Sequence, residues 1–333
     1  MGKILMPIAR SKQIILSQTS YYHCMSRCVR RAFLCGYDKL TGNNFEHRRE
    51  WFEKRLKKLS SAFSIDVCAY AIMHNHNHLV LHVDTERAKA WSDIEVIQRW
   101  HSIHPNKTIT AMYLDTKQRG TLSLIQLSTV RKIAKIYRER LTSISYFMKA
   151  LNQYIALKAN REDHCSGRFW ESRFKSQALL DDRAILSCMI YVDLNPIRAG
   201  IATTLENSHY TSVKKRLKSM KLGKQPSELR CLKTQFESSA NSINIELSCY
   251  IELLRQTAAR LKNNRQVNSP DMKIESNLLR QLGIEEKNWL ILSSHIEEEF
   301  SYVVGSVVCM EKYKKKVNQK KLKGISTALR LFQ

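Results

Sequence analysis

Four histidines crowd one short run of the chain, "YAIMHNHNHLVLHV" from Tyr70 to Val83: His74, His76, His78 and His82. The residues around them suit a buried strand. Side chains alternate faces along a strand, so the four imidazoles share one face if the strand is continuous there, and Leu79, Leu81 and Val83 take the other. His76 and His78 stand at i and i+2, near enough for both rings to hold one divalent ion. A neutral ring nitrogen donates its lone pair without charge cost. Two ligands do not complete a catalytic site, which needs a third protein ligand and open positions for substrate. The stretch "CMIYVDLNPIRAG", 188–200, offers candidates. On a helix Tyr191 and Asn195 are i and i+4 and share a face. Asn195 brings a neutral oxygen ligand. Tyr191 brings a hydroxyl able to attack phosphorus where a metal polarises a phosphate. Taken singly, these residues also fit duller roles: a solvated histidine face, a packed core tyrosine, and an Asn-Pro helix stop.

The elements that must position them follow from periodicity. "TSYYHCMSRCVRR", 19–31, reads as a strand running into a basic turn. Residues 43–63 are helical, with Phe45, Trp51 or Phe52, Leu56, Leu59 and Phe63 at three- and four-residue steps and an asparagine to cap the start. "IDVCAYAIMH" and "NHLVLHVD" form two strands joined by a polar turn. Residues 93–104 suggest a short helix, 105–128 a polar connecting loop, and 130–160 one long helix. Residues 166–180 return to extended structure. Residues 181–195 form a helix opened by acidic residues that suit its N-terminal dipole, and Pro196 closes it. Strand, helix, two strands, helices, strand, helix is an α+β order, with an antiparallel sheet and helices packed on one face. The expected core is ferredoxin-like. Beyond about residue 205 the composition changes. Residues 206–230 read as a basic linker and 231–333 as a mostly helical C-terminal domain. Its lysine-rich end, "KYKKKVNQKKLKG", suits either DNA or a solvated helix face.

The chain has 333 residues, with 55 Lys+Arg against 30 Asp+Glu, a net charge of +25. Such an excess calls for an acidic partner. Nucleic acid comes first, because its phosphates supply affinity through counterion release, and an acidic membrane surface second. No apolar run is long enough to span a bilayer, and "MGKILMPIARSKQIIL" is too broken by charge for a signal peptide. The expected setting is cytoplasmic and nucleoid-associated, with no membrane partner. The nine cysteines are scattered and form no C-x-x-C, which fits reduced thiols rather than a disulfide framework.

Taken together, the stretches resemble the single-tyrosine HUH transposases, and specifically the REP-associated tyrosine transposase group. "MHNHNHLVL" is similar to that family's Met-x-Asn-His-x-His-Leu pattern, with His76 and His78 on the two histidine positions. "YVDLNPIRAG" resembles its tyrosine segment and puts the nucleophile on Tyr191 and a polar metal ligand on Asn195. "GRFWESRFKSQAL" resembles the segment before the tyrosine helix, and "YYHCMSRCVRRAFL" the first strand and its basic turn. The four occur in the family's order across residues 15–205, the implied catalytic domain.

The resemblance implies a Mg2+- or Mn2+-dependent DNA strand transferase that cleaves and rejoins hairpin-forming single-stranded DNA through a 5′-phosphotyrosine. Because the bond energy is stored in that link, no ATP is needed, and no G-x-x-x-x-G-K-[ST] loop occurs. Candidate DNA contacts are Arg27, Arg30 and Arg31 after the first strand, and Arg168, Arg173 and Lys175 before the tyrosine helix. Phe169 and Trp170 could stack on bases or pack in the core. Arg48 and Arg49 suit DNA contacts or, equally, a solvated helix face. Relatives act as monomers or homodimers, and both states stay open here. The family's middle HUH residue is hydrophobic, whereas here it is Asn77, which alternation sends toward the apolar layer. That departure keeps a second function class in view: a DNA- or RNA-binding protein that holds the fold with weakened chemistry. A third is a metal-dependent nuclease using water, with Tyr191 structural.

Overall fold

The computed structural model describes residues 10–29, 34–38, 41–105, 108–233, 242–263, 274 and 277–332. Its frame is a five-stranded mixed sheet in the order β2 (Ile65–Ile72), β3 (His76–Val83), β1 (Tyr21–Arg27), β4 (Lys175–Leu179), β7 (Val303–Val304). After a short helix, α1 (Arg10–Gln13), comes β1 (Tyr21–Arg27), buried on both faces from Tyr22 to Ser26 as befits a central strand. Helix α2 (Arg48–Ala62) leads to β2 (Ile65–Ile72) and β3 (His76–Val83). The turn between these two closes where the Met73 N–H donates to the His76 carbonyl at 2.8 Å. Strand β4 (Lys175–Leu179) pairs antiparallel with β1, His23 opposite Gln177. Helix α9 (Asp182–Asp193) follows β4, and the Asp181 side chain caps it by accepting from the Ala184 N–H. The sequence thus builds the expected βαββαβ core. One expectation is corrected: the sheet is not wholly antiparallel, because β7 (Val303–Val304) joins β4 in parallel.

The described chain divides into two compact units. One comprises Glu50–Asp66 and His82–Phe169. It holds α3 (Thr85–Ala90), α4 (Asp93–Ile103), α5 (Ile109–Leu114), α6 (Thr116–Arg119), α7 (Leu124–Leu141) and α8 (Ile144–Glu162). Trp100 stacks on Tyr137 and Phe63 meets Phe147 edge-on in its core. Two sequence expectations fail here. Residues 105–128 are not a loop: α5, α6 and the start of α7 lie there. Asp115 caps α6, and Ser123 with Gln126 forms a capping box on α7. The long helix expected over 130–160 is two, broken at Thr142–Ser143 where Ser143 turns extended.

The other unit comprises Met1–Arg49, Val67–Leu81 and Trp170–Gln333, so the described residues from 231 onward lie within it. Helix α10 (Asn195–Arg198) follows α9 directly, and Pro196 occupies its first turn, where a missing N–H costs nothing, instead of closing α9. The stretch expected as a linker contains α11 (Ser212–Met220). On it the buried Arg216 donates to the Cys68 and Arg230 carbonyls at 2.9 and 3.0 Å. A small parallel pair, β5 (Leu232–Lys233) and β6 (Ile243–Glu246), leads into α12 (Leu247–Asn263). Then come α13 (Asn277–Leu282), α14 (Glu286–Glu299), β7, α15 (Val307–Lys316) and α16 (Ile325–Leu331). Along α15 Met310 and Tyr313 are buried while Lys312, Lys315 and Lys316 face solvent. Fully buried Asp193 ties three helices of this unit together. It accepts from the Ser212 hydroxyl, from the Val213 N–H at 2.9 Å and from the Tyr250 hydroxyl at 2.6 Å. No helix among the described residues is long and apolar enough to cross a membrane.

Candidate functional site

A row of buried polar side chains crosses three adjacent strands of the sheet. Gln177 on β4 stands opposite His23 on β1, with Oε1 and Nδ1 2.9 Å apart. On the other side His23 Nε2 lies 3.1 Å from Nδ1 of His78 on β3. The two imidazoles stack at 5.3 Å and 16°, near the spacing of neighbouring strands. A fourth group arrives from α14, which packs against α9. Glu297 Oε1 is 2.9 Å from His78 Nδ1 and 3.5 Å from His23 Nε2. The helix breaks regular geometry at His295 (φ −132°, ψ 18°), two residues before this glutamate. Gln177 then holds the chain beyond α14 by donating from Nε2 to the Ser301 carbonyl at 2.7 Å and the Phe300 carbonyl at 3.3 Å.

The electrostatics are dominated by the burial of imidazoles beside a carboxylate. Burial pushes His23 down to about 4. Burial, with His78 and Arg27 adding to it, takes His76 down to about 3. Burial alone would raise the Glu297 carboxyl. His78, 2.9 Å away, and the neighbouring imidazoles outweigh that and bring it to about 2. The ligand atoms of His23, His78 and Glu297 lie within 4.8 Å of one another, so this group could hold a metal ion. Its 2.9, 3.1 and 3.5 Å edges are close to those spanned by donors about 2.0–2.2 Å from a common cation.

Tyr191, on α9, stands over this row. Its buried ring meets His78 edge-on at 5.7 Å and His23 at 6.1 Å. The Arg198 guanidinium lies 3.9 Å from the ring centroid, a cation–π contact. Burial, reinforced by Glu297, lifts the phenol to about 12 against the pull of Arg198, so it is neutral at physiological pH. Asn195, also buried, begins the next helix four residues on.

No protein-family profile matches the chain, and no curated protein matches it in sequence. Among solved structures, it is similar to a REP-associated tyrosine transposase bound to a REP hairpin. That likeness has a TM-score of 0.36 and 8% identity, over 68% of this chain and 93% of the other.

The remaining expected residues fall as follows. His76 and His78 sit edge-on with centroids 4.8 Å apart, and His76 Nδ1 is 2.5 Å from the Asn75 side-chain oxygen. His74 lies against Gly36. His82 pairs with Asp66 at 3.2 Å, both in the other unit. Arg27 is exposed at the end of β1, where its carbonyl accepts from the Glu171 N–H and Cys28 bridges to Trp170. Trp170 is half-buried, and Arg173 and Lys175 are exposed beyond it. Arg168 is exposed in the other unit, whereas Phe169 is core. Arg30 and Arg31 lie outside the described residues. Arg48 and Arg49 are not a solvated face. Both are buried, Arg48 over the Phe45 ring and Arg49 on the Ile72 carbonyl and Glu46. Asn77 is 0% exposed, and neither atom of its amide has a partner among the described residues.

Sequence reasoning missed His23 and Glu297. An imidazole in the otherwise β-forming run "YYHCMSR" was a signal for the first. Nothing local separates Glu297 from its neighbours Glu298 and Glu299.

Proposed function

We propose that this chain is a metal-dependent DNA strand transferase of the single-tyrosine HUH kind, acting on single-stranded, hairpin-forming DNA. The observation that carries the reading is the placement of Tyr191, a neutral phenol on α9, edge-on to His78 at 5.7 Å. Nε2 of His78 is buried and has no partner among the described residues, which fits a ring awaiting a cation. In this reading His76, His78 and Asn195 hold Mg2+ or Mn2+. A divalent ion there supplies Lewis-acid polarisation of a scissile phosphate and neutralises its charge.

The chain's own residues do the rest. The Tyr191 oxygen forms a bond to phosphorus as the bond from phosphorus to the 3′ oxygen breaks. The phenol proton is given up, and the leaving oxygen takes a proton to become a 3′-hydroxyl. Arg198, over the phenol ring, favours the negative charge that grows on Tyr191 as it attacks. Reversal by another 3′-hydroxyl rejoins strands. Arg27, Arg173 and Lys175 bind the DNA backbone beside Trp170, which stacks on unpaired bases. Arg30, Arg31 and Arg168 extend this set on the resemblance alone.

The buried, unpartnered amide of Asn77 favours a second reading, a nucleic-acid-binding protein with weakened chemistry. Incubation with hairpin DNA and Mn2+ separates the two: the transferase forms a covalent adduct that survives denaturing detergent, and a binding protein forms none.

A further inference from the structure

We propose that a cleft between α10, α12 and α14 binds one unpaired nucleotide, its base against an aliphatic wall and its phosphate toward Arg198 and Lys262. The proposal deepens the transferase reading and rests on it for the strand that supplies the nucleotide.

The cleft has a volume of about 470 Å3, within the ~300–1,000 Å3 of small-molecule sites. All of its lining residues belong to the unit that carries β1 and β4. The sequence of α14 explains why it exists. Trp289, Leu292, Ser293 and Ile296 recur at three- and four-residue steps and are fully buried, so they form the face packed into the unit. The opposite side of such a helix is ordinarily polar. Here it carries Leu290 and Ile291, with Ser294 and His295 one turn further on. Leu290 and Ile291 are only half-buried, and half-buried Leu261 of α12 joins them in the wall. Aliphatic surface therefore stays partly open to solvent inside a concave site.

The charge of the lining has one sign. Lys262 stands exposed in the last turn of α12, and Arg198 and the His295 imidazole complete the polar side. Among the described residues no carboxylate lines the cleft. A bare inorganic anion makes no use of the aliphatic wall, and a wholly apolar ligand makes none of the cations. An unpaired nucleotide uses both, because its base offers a flat face that packs on apolar side chains and its phosphate is an anion.

Arg198 joins the cleft to the proposed chemistry. It lines the cleft, and its guanidinium carbon lies 3.9 Å from the Tyr191 ring centroid. Its Nη1 donates to the Ser294 carbonyl, next to His295, where α14 leaves helical geometry. That bond holds the guanidinium between the cleft and the tyrosine. A strand with one base in the cleft has its adjoining backbone led past Tyr191, so the cleft sets the register of the strand at the nucleophile. The C-terminal helices α12 and α14 thereby become part of substrate selection.

Titration of the full chain with each deoxynucleoside 5′-monophosphate, at physiological salt and followed by saturation-transfer difference NMR, tests the site. Base protons are expected to receive saturation. Lys262→Glu, on the exposed rim, is expected to weaken binding by roughly 10-fold or more, the worth of a charge-assisted hydrogen bond. Ile291→Trp, which fills the cleft, is expected to abolish it. Deoxyribose 5-phosphate, which lacks the base, is expected to bind more weakly than every mononucleotide. Equal affinity for deoxyribose 5-phosphate means recognition of an anion alone and overturns the proposal. So does a wild-type chain that binds no mononucleotide, or binding that neither variant changes. The titration needs neither metal nor strand cleavage. Mononucleotide binding lost in the variants, together with a failed DNA adduct, leaves the site standing and sinks the transferase reading. An adduct from a chain that binds no mononucleotide does the reverse.

Discussion

The Glu297 carboxylate lies 2.9 Å from Nδ1 of His78, so a helix near the C-terminus closes over a strand in the first quarter of the chain. His23, buried beside that contact, gives stability a pH dependence of definite sign. His23 titrates near 6.5 when unfolded and about 4 when folded. Between those values the unfolded chain binds a proton that the folded one refuses. The His23 contribution is complete above about pH 6.5 and is lost as pH falls toward about 4. Glu297, brought down to about 2 from 4.5, adds a loss below pH 4.5. The melting temperature therefore falls on acidification from neutrality, and His23→Gln flattens the dependence between pH 6.5 and 4. A melting temperature that rises over that interval would contradict the assignment.

Asn77 is fully buried, and both its amide atoms are unpartnered among the described residues. Replacing it with leucine, of similar size, removes the desolvation penalty and stabilises the fold by about 1–3 kcal/mol in urea unfolding. A destabilised Asn77→Leu would mean that the amide has a partner in solution.

Tyr250 is one of three donors that satisfy buried Asp193. Tyr250→Phe leaves that carboxylate short of a donor and costs about 1–3 kcal/mol. The loss disappears in an Asp193→Asn background if the hydroxyl acts through Asp193, and a double-mutant cycle in chemical unfolding reads the coupling.

Arg27, Arg173 and Lys175 are exposed beside Trp170. Removing any one cation weakens hairpin-DNA binding whatever the sequence and reduces the slope of log affinity against log salt by about one contact's worth, ~0.7 for single strands. Trp170→Ala lowers affinity by about 1–3 kcal/mol and leaves that slope unchanged, since stacking releases no counterion. An unaltered slope in all three charge variants would move the DNA elsewhere on the surface.

Much of the frame was legible because strand and helix periods are local. The alternation around His76 and His78 put both rings on one face, and they lie 4.8 Å apart. The acidic start of α9 marked its true beginning. What escaped was non-local or short. Strand β7 has two residues, too few for any period, and its parallel pairing with β4 spans more than a hundred positions. The capped turns of α5 and α6 sit in polar sequence that hides weak helices. Arg48 and Arg49 resemble surface residues in composition, and only the folded chain shows the Phe45 ring and the Ile72 carbonyl that receive them. His23 and Glu297 become site residues only when β1, β3 and α14 come together.

Covalent trapping tests the proposed chemistry most directly. Full-length protein is incubated with hairpin-forming single-stranded DNA and Mn2+, denatured in detergent and analysed for DNA-linked protein. A 5′-phosphotyrosine adduct mapping to Tyr191 is predicted, absent in Tyr191→Phe although that variant still binds the DNA. Metal-dependent cleavage that persists in Tyr191→Phe, or no adduct from the wild-type chain, would contradict a tyrosine nucleophile.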